Sequence, residues 1–541
     1  MRARSKSGGT AYAHPLFFWA GFVACVAGVL LHLPMYLHAK DMHYHLNGMP
    51  MDTPMMVGMV LIVLGLVAVG YGLVPRDFLK NAPPAELRVR AEDDSKLRPA
   101  HIALVLVLTA AVTIDAMKPI SLGFTAPGVA KEYGLKSALN PHGDLPVALL
   151  PFFGLSGTAV GSFVWGWLGD RIGRRAAILF AGVLFVTTAT CGAMPSFGWN
   201  LAMCFLMGAG AGGMLPITFS LLAETIPGRH RGWLMVLIGG TLALAYVVTS
   251  WMSAELVPTY SWRILWLAGM PTGVALILLN HWIPESPRFL LSHGREEEAR
   301  AVMARYGASL VPATESEPDP EAAADPNARG GFGRLFRPPF AGLTTAVVIL
   351  GLGIGLVTYG FQLWIPSNLQ KLGLPQATAD RALRDSALLG LPLVFLAAAL
   401  YGLWSAKKTI LLFTALVAAA LAVLTFAGDD LAKHRDWLYV LLAGPIVGTS
   451  VIASVLAAYS SEIYPTRIRS RGSGLSAGVG KLGGVLVTIL LVAGIAAPSI
   501  GLTALLGVVP LVLAVIAVAV FGVETRKSAP KVSASVATAE T

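Results

Sequence analysis

Apolar residues run through this chain in blocks of about twenty, separated by short polar stretches rich in Gly, Pro and charge. A helix rising about 1.5 Å per residue needs roughly 20 apolar residues to cross a bilayer core. On that rule the pattern predicts fourteen spans, near 15–37, 54–74, 101–123, 145–168, 176–194, 198–222, 232–252, 262–282, 341–366, 383–404, 409–427, 437–460, 472–496 and 500–522. The first run is too long for a signal-peptide core and lacks a small-residue cleavage site, so it is read as a retained helix. The longest break begins with an amphipathic pattern, "GREEEARAVMARYG", and continues as "PATESEPDPEAAADPNARGG", which is too polar and proline-rich to pack.

Lys and Arg set the orientation. With the N-terminus inside, 29 of the 40 fall in inside segments and nine outside, while Lys118 and Lys481 lie within spans. The net charge of +10 is therefore a topology signal and does not point to nucleic acid. Both termini are expected on the cytoplasmic side of an inner membrane. Composition agrees: 13% of residues are charged, against about 25% in a soluble domain. Cys25, Cys191 and Cys204 all lie in apolar runs without CxxC spacing, so neither a disulfide framework nor a zinc site is expected. Nothing resembles an enzyme site. "GVGKLGG" is no phosphate loop, because Leu475 stands where its first glycine belongs and Leu482 where Ser or Thr belongs.

Spans three to eight and nine to fourteen form two blocks of six that repeat at motif level. "AETIPGRHRG" and "SEIYPTRIRSRG" pair Glu224 with Glu462 and Arg231 with Arg469, at an offset of 238 residues. "PESPR" and "VETR" pair Glu285 with Glu524 at an offset of 239. Two independent landmarks agreeing to one residue indicate duplicated halves. The expected organisation is a basic tail (1–14), an accessory transmembrane hairpin (15–74) and a cytoplasmic linker (75–100). A six-helix bundle (101–293), a cytoplasmic loop (294–340), a second six-helix bundle (341–523) and a cytoplasmic tail (524–541) follow. Residues 166–175, "GWLGDRIGRR", are the most specific motif. Gly166, Gly169 and Gly173 allow close approach, Asp170 can face a neighbouring helix N-terminus, and Arg171, Arg174 and Arg175 hold the loop inside.

"GWLGDRIGRR", "IPESPRFLL" and "SEIYPTRIRSRG" resemble the major facilitator superfamily over about residues 100–525, in the branch of sugar porters, organic-ion carriers, aromatic-acid/proton symporters and synaptic-vesicle-glycoprotein-like proteins. "ISLGFTAPGVAKEYGL" is similar to the aromatic-acid symporter pattern. The resemblance implies an all-α fold of two bundles rocking about a central site, no cofactor beyond a coupling proton, and a small-molecule substrate carried by a monomer in the bilayer. It also implies a cytoplasmic gate from Gly166, Asp170, Arg171, Gly173, Arg174, Arg175, Glu224, Arg231, Glu285, Arg288, Glu462 and Arg469. The second-half counterpart of the gate turn, "GLWSAKKT", has lost the Asp and glycines, so a one-sided latch is expected. The seventh span has no GP motif, which argues against the drug-antiporter branch.

Charge inside a membrane costs roughly 2.5–3.5 kcal/mol per residue on insertion scales and marks function by default. Asp115 and Lys118, three residues apart, are expected on one helix face, and Lys481 roughly 15 Å into its span. If all three face a central cavity they favour an organic anion, with Asp115 as proton carrier. Alternatively Asp115 and Lys118 neutralise each other and Lys481 snorkels. In the symporter pattern an Asp is typical at Lys118, and Arg at Lys481 and Cys204, so Lys118 is read as replacing a missing arginine's charge. Tyr359, Gln362, Trp364 and Asn368 are substrate-orienting residues, unless Trp364 is an interfacial anchor. Arg263 and Asp144 are read as outer-rim residues.

The first hairpin gathers four of the 11 histidines and six of the 17 methionines into residues 32–56. If its helix continues past His38, then His38, Asp41, Met42 and His45 share a face that would suit copper, zinc or iron. The other reading makes the cluster an accessory turn with Met filling gaps between helices. Three functions are thus carried forward: an organic-anion transporter, a metal or metal-complex transporter, and a transporter-like sensor or partner-binding protein.

Overall fold

The computed structural model describes residues 12–75, 87–91, 96–312, 332–427, 435–464, 466–492 and 499–525. Among them, 14 helices are long and apolar enough to cross a membrane. The third span, Pro99–Glu132, exceeds its predicted length because Pro119 and Pro127 lie inside the helix without ending it. The sixth span, Phe197–Thr225, breaks at Gly212 and Gly213, between helices Phe197–Ala211 and Met214–Thr225. The ninth and twelfth spans, Ala341–Lys371 and Trp437–Ile463, each contain a π-helical segment, Val357–Gln362 and Gly444–Gly448. Such segments favour functional sites because they widen the helix and re-aim side chains.

Packing obeys the repeat. In the first half span three packs on seven, four on six and five on eight; in the second, nine packs on thirteen, ten on twelve and eleven on fourteen. Each second-half pair is the first-half pair moved on by six spans. The halves meet where span seven (Gly228–Tyr260) packs on spans ten and twelve, and span four (Leu149–Ile172) on span thirteen (Arg471–Val492). The all-α expectation holds apart from one ribbon, in which Leu87–Ala91 pairs antiparallel with Ala308–Pro312. It joins the expected linker to the expected loop. The amphipathic helix forms as Glu296–Tyr306 and buries Ala299, Met303 and Tyr306. It docks through Arg98 Nη1 on the Ala304 carbonyl (2.8 Å) and His101 Nε2 on that of Tyr306 (3.0 Å). The proline-rich stretch after the ribbon, and most of both tails, lie outside the described residues.

The first two spans, Pro15–Met42 and Thr53–Leu73, pair closely and pack against span five (Arg174–Ala193) of the first half. Val29 meets Val186 and Ala189, and Met35, Met49 and Met55 pack with Met194 and Met203. These methionines fill an interhelical seam. The helix does not continue past His38 as the metal reading required. It tightens to a 3-10 turn at Ala39–Met42, and His43 and Tyr44 then take positive φ (53° and 60°), which reverses the chain. His38, Asp41, Met42 and His45 are exposed and do not form the expected helical face. Among the described residues, no group of three or more His, Cys, Asp or Glu side chains could hold a metal ion.

Candidate functional site

Midway along the bundle, Lys481 crosses from the second half to the first. Its Nζ donates to Ser162 Oγ and to the Gly212 carbonyl (3.2 Å), an acceptor freed by the break in span six. Ser162 Oγ in turn reaches the carbonyls of Thr158 (2.7 Å) and Gly212 (2.9 Å). Asp115 lies within electrostatic reach of Lys481 and of Tyr359. The Tyr359 ring occupies the place a Cβ at Gly484 would take, so only glycine lets it lie against span thirteen. Gln362, at the end of the π segment of span nine, donates to the carbonyls of Pro445 and Ile446 in the π segment of span twelve. Asp115 Oδ1, Trp364 Nε1 and both amide atoms of Asn368 are buried without a hydrogen-bond partner. Buried polar atoms are nearly always satisfied, so these orphans mark a place for a polar ligand. Trp364 is buried, which removes the interfacial-anchor reading.

Lys118 lies apart. Asp115 and Lys118 lie three residues apart on one helix, yet no ion pair joins them among the described residues and Asp115 Oδ1 is without a hydrogen-bond partner. The Lys118 ammonium sits 5.7 Å from the Phe185 ring centroid and against Gly269, where a Cβ would overlap it. It borders a void of about 20 Å³, room for a water, lined also by Ser121, Thr249 and Thr272. Cys191 is within reach of both Lys118 and Cys204, so the ammonium stands close to the position where the symporter pattern has arginine.

At one end of the bundle, the "GWLGDRIGRR" turn is built differently from the expectation. Gly173 (φ 98°) reverses the chain, and Glu285 caps the helix that follows. Its Oε1 accepts from the backbone N–H groups of Arg174 (2.7 Å), Arg175 (3.3 Å) and Ser286 (2.9 Å). Asp170 does not face that N-terminus but pairs with Arg174 at 2.6 Å and is mostly exposed. Burial lifts Glu285 above its ordinary value, while the three N–H groups and Arg175 pull it back. Glu224 accepts from Ser286 Oγ and the Arg288 N–H, Arg171 lies over the Trp167 ring, and Arg231 reaches the Ile226 carbonyl (3.4 Å). The second half has a contact in the corresponding place, although its turn lacks the Asp and glycines. Ser405 accepts from the Lys408 N–H (3.1 Å) and donates to Glu524, the repeat partner of Glu285. Glu462 lies against Gly232 and Tyr401, joining the halves. The surroundings of Gly166 and the side chain of Arg469 lie outside the described residues.

Sequence reasoning missed the opposite end. There Ser253 Oγ donates to Asp380 Oδ2 (2.7 Å) and Glu255 pairs with Arg381 (3.1 Å), fastening span seven to span ten. Asp380 precedes the apolar run at 383–404, so apolar length alone leaves it outside the span. Its signal is the helical spacing of the buried Ala379, Ala382, Leu383 and Ser386. Arg263 is no rim residue but fully buried, paired with Glu132 at 2.6 Å. Arg263 also donates to the carbonyls of Gly192 (3.3 Å) and Met194 (2.8 Å) and to Tyr133 Oη (3.0 Å). Glu132 accepts from Trp262 Nε1 (2.9 Å) and from the backbone N–H groups of Leu46 (2.8 Å) and Asn47 (3.2 Å), tying the hairpin loop to the bundle.

Comparison with known proteins agrees with this architecture. The family model described as "Sugar (and other) transporter" matches residues 124–529, so the hairpin lies outside the match. The niacin transporter NiaP of Acinetobacter baylyi is 27% identical over 399 residues, covering 72% of this chain and 86% of that protein. The benzoate transport protein of the same organism is 24% identical over 410 residues, covering 74% and 84%. Among solved structures, the xylose transporter XylE from E. coli in a partially occluded inward-open conformation matches with a TM-score of 0.62 at 15% identity, covering 80% of this chain and 100% of that one. At that identity the likeness establishes the fold alone.

Proposed function

The chain belongs to the sugar (and other) transporter family, and on that premise we propose that it is a symporter of a small organic anion, an aromatic or related carboxylate, driven by protons through alternating access. It is a multi-pass membrane transporter and not an enzyme. One observation carries the finer reading. Lys481 of the second half, within reach of Asp115, is held by two oxygens of the first half.

In this arrangement Asp115 and Lys481 balance. A carboxylate entering to pair with Lys481 leaves one uncompensated negative charge, at a cost of roughly 2.5–3.5 kcal/mol in a membrane interior. A proton on Asp115 restores neutrality and releases Lys481 for the substrate, so one proton accompanies one monocarboxylate. Tyr359 walls the site, and Gln362, Trp364 and Asn368 orient the ring and polar groups. Lys118 stands apart behind the site, against Gly269 and a water-sized void, and does not enter this local balance. The relatives named for niacin and benzoate support this substrate class. The Lys and Arg distribution supports placing the Asp170 end and both termini at the cytoplasmic face of the cell membrane.

The test is uptake of labelled benzoate and nicotinate into proteoliposomes. The wild type should accumulate substrate under an inwardly directed proton gradient. Asp115→Asn should lose that accumulation while keeping exchange, and Lys481→Ala should lose both. Uptake indifferent to the gradient refutes the coupling, and no uptake of any carboxylate refutes the substrate class. Measurable uptake excludes the sensor reading.

A further inference from the structure

At the end opposite Asp170, the hairpin loop roofs a cleft of about 590 Å³ over the junction between the halves, within the volume range of about 300–1,000 Å³ typical of small-molecule sites. Lys40 comes from the hairpin, Lys131 from the end of span three, and Gln376 from the start of span ten in the second half. Tyr44, Tyr260 and Trp262 supply aromatic walls. The carboxylate that lines it, Glu132, is committed to Arg263 and the loop N–H groups. Both lysines are exposed, whereas Gln376 Nε2 is buried without a hydrogen-bond partner. Span seven forms the wall with Val257 and Pro258, and its Ser253 and Glu255, just below, fasten the junction to Asp380 and Arg381.

We propose that this cleft is a capture site for an aromatic monocarboxylate, in which Lys40 and Lys131 attract the anion, Gln376 hydrogen-bonds its carboxylate, and Trp262 and Tyr44 hold the ring. The inference rests on the organic-anion reading above and adds a site that the hairpin completes. His45, set aside as a metal ligand, lines the same cleft. Because Gln376 belongs to the second half and the other polar groups to the first half and hairpin, the site spans the junction that must part for substrate to descend. Its occupancy is coupled to opening.

The experiment compares benzoate uptake by the full chain and the Lys40→Gln/Lys131→Gln variant in proteoliposomes at two ionic strengths. Fields from exposed charges reach about 30 Å at 0.01 M salt and about 3 Å at 1 M, and steering of this kind raises capture by about tenfold or more. The variant should lose about tenfold in kcat/KM at low salt and match the wild type at high salt, while Lys40→Arg/Lys131→Arg retains capture. Equal kcat/KM at low salt, or the same loss at both salts, overturns the proposal. If the wild type moves no carboxylate, the transport reading fails by itself. Benzoate binding to Lys481→Ala protein by saturation-transfer NMR then decides the cleft: a signal removed by the two Lys→Gln changes upholds it, and no signal overturns it.

Discussion

Arg263→Met should be among the most damaging single substitutions in this protein. The guanidinium is fully buried and donates to the Glu132 carboxylate, two carbonyls and a phenol. Methionine fills much of the volume but leaves Glu132 as a buried anion facing only neutral donors, and takes the guanidinium donor from the Gly192 carbonyl, while that of Met194 keeps Tyr133 Oη (3.2 Å). Removing one partner of a buried ion pair costs about 3–5 kcal/mol. At about 2.1 cal/mol/K per residue a chain of 541 residues shifts by roughly 1 °C per kcal/mol, so the midpoint of unfolding should fall by roughly 3–5 °C. The assay is thermal unfolding in detergent followed by a thiol-reactive dye, which reports unfolding because Cys25, Cys191 and Cys204 are all buried. Glu132→Gln keeps an acceptor for Leu46 and Asn47 without the charge, at the loss of the oxygen that accepts from Trp262 Nε1. The double variant should therefore recover about 2 kcal/mol of the loss, since hydrogen bonds and charges removed together cost less than an orphan left behind. A midpoint within about 1 °C of wild type for Arg263→Met, or a double variant no better than the single, would refute the reasoning.

Gly173→Ala forces a side chain into a φ of 98° with its Cβ 2.5 Å from Glu285 Oε2; it should lower stability by about 1–3 kcal/mol and displace the cap, measured by unfolding midpoint and uptake rate together. Because burial holds Glu285 above its unfolded value, its folded state binds the proton more tightly, so its contribution is present below the unfolded value and fades as pH rises through the folded one. Glu285→Gln should flatten that acid-side gain in a midpoint-against-pH series, and an unchanged profile contradicts the assignment. Lys118→Ala should abolish benzoate uptake, and Gly269→Ala, whose Cβ overlaps the ammonium, should reproduce much of that loss. Unchanged uptake in Lys118→Ala removes the lysine from the mechanism.

The spans, the repeat and the latch turn were legible because each is written in local pattern. Apolar length marks a span, and offsets of 238 and 239 residues mark a duplication. What stayed hidden depends on partners distant in sequence. Arg263 and Glu132 flank apolar runs 131 residues apart, and hydropathy assigns such flanks to the water. An opposite charge beside Trp262 at the end of a neighbouring span was the available clue. Asp115 and Lys118 misled in the other direction: sequence spacing paired them, whereas Lys481, from the other half, lies in reach of the carboxylate. The capping role went to Glu285 and not Asp170 because the turn at Gly173 aims the N–H groups of Arg174 and Arg175 across the bundle, which no spacing rule records.

The anchoring of the hairpin loop on Glu132 bears on the symmetry of the transporter. Two duplicated halves taken alone give a machine whose two open forms are nearly mirror accounts of each other, with little to choose between them. Here a two-helix attachment packs on one half and is stitched at one mouth through Leu46 and Asn47. Whatever that mouth does, the attachment accompanies it, as the helix Glu296–Tyr306 does at the other end through Arg98 and His101. Because the hairpin is stitched to the first half, it extends that half's side of the mouth, and only its share of the cleft with Gln376 lies across the line where the halves meet.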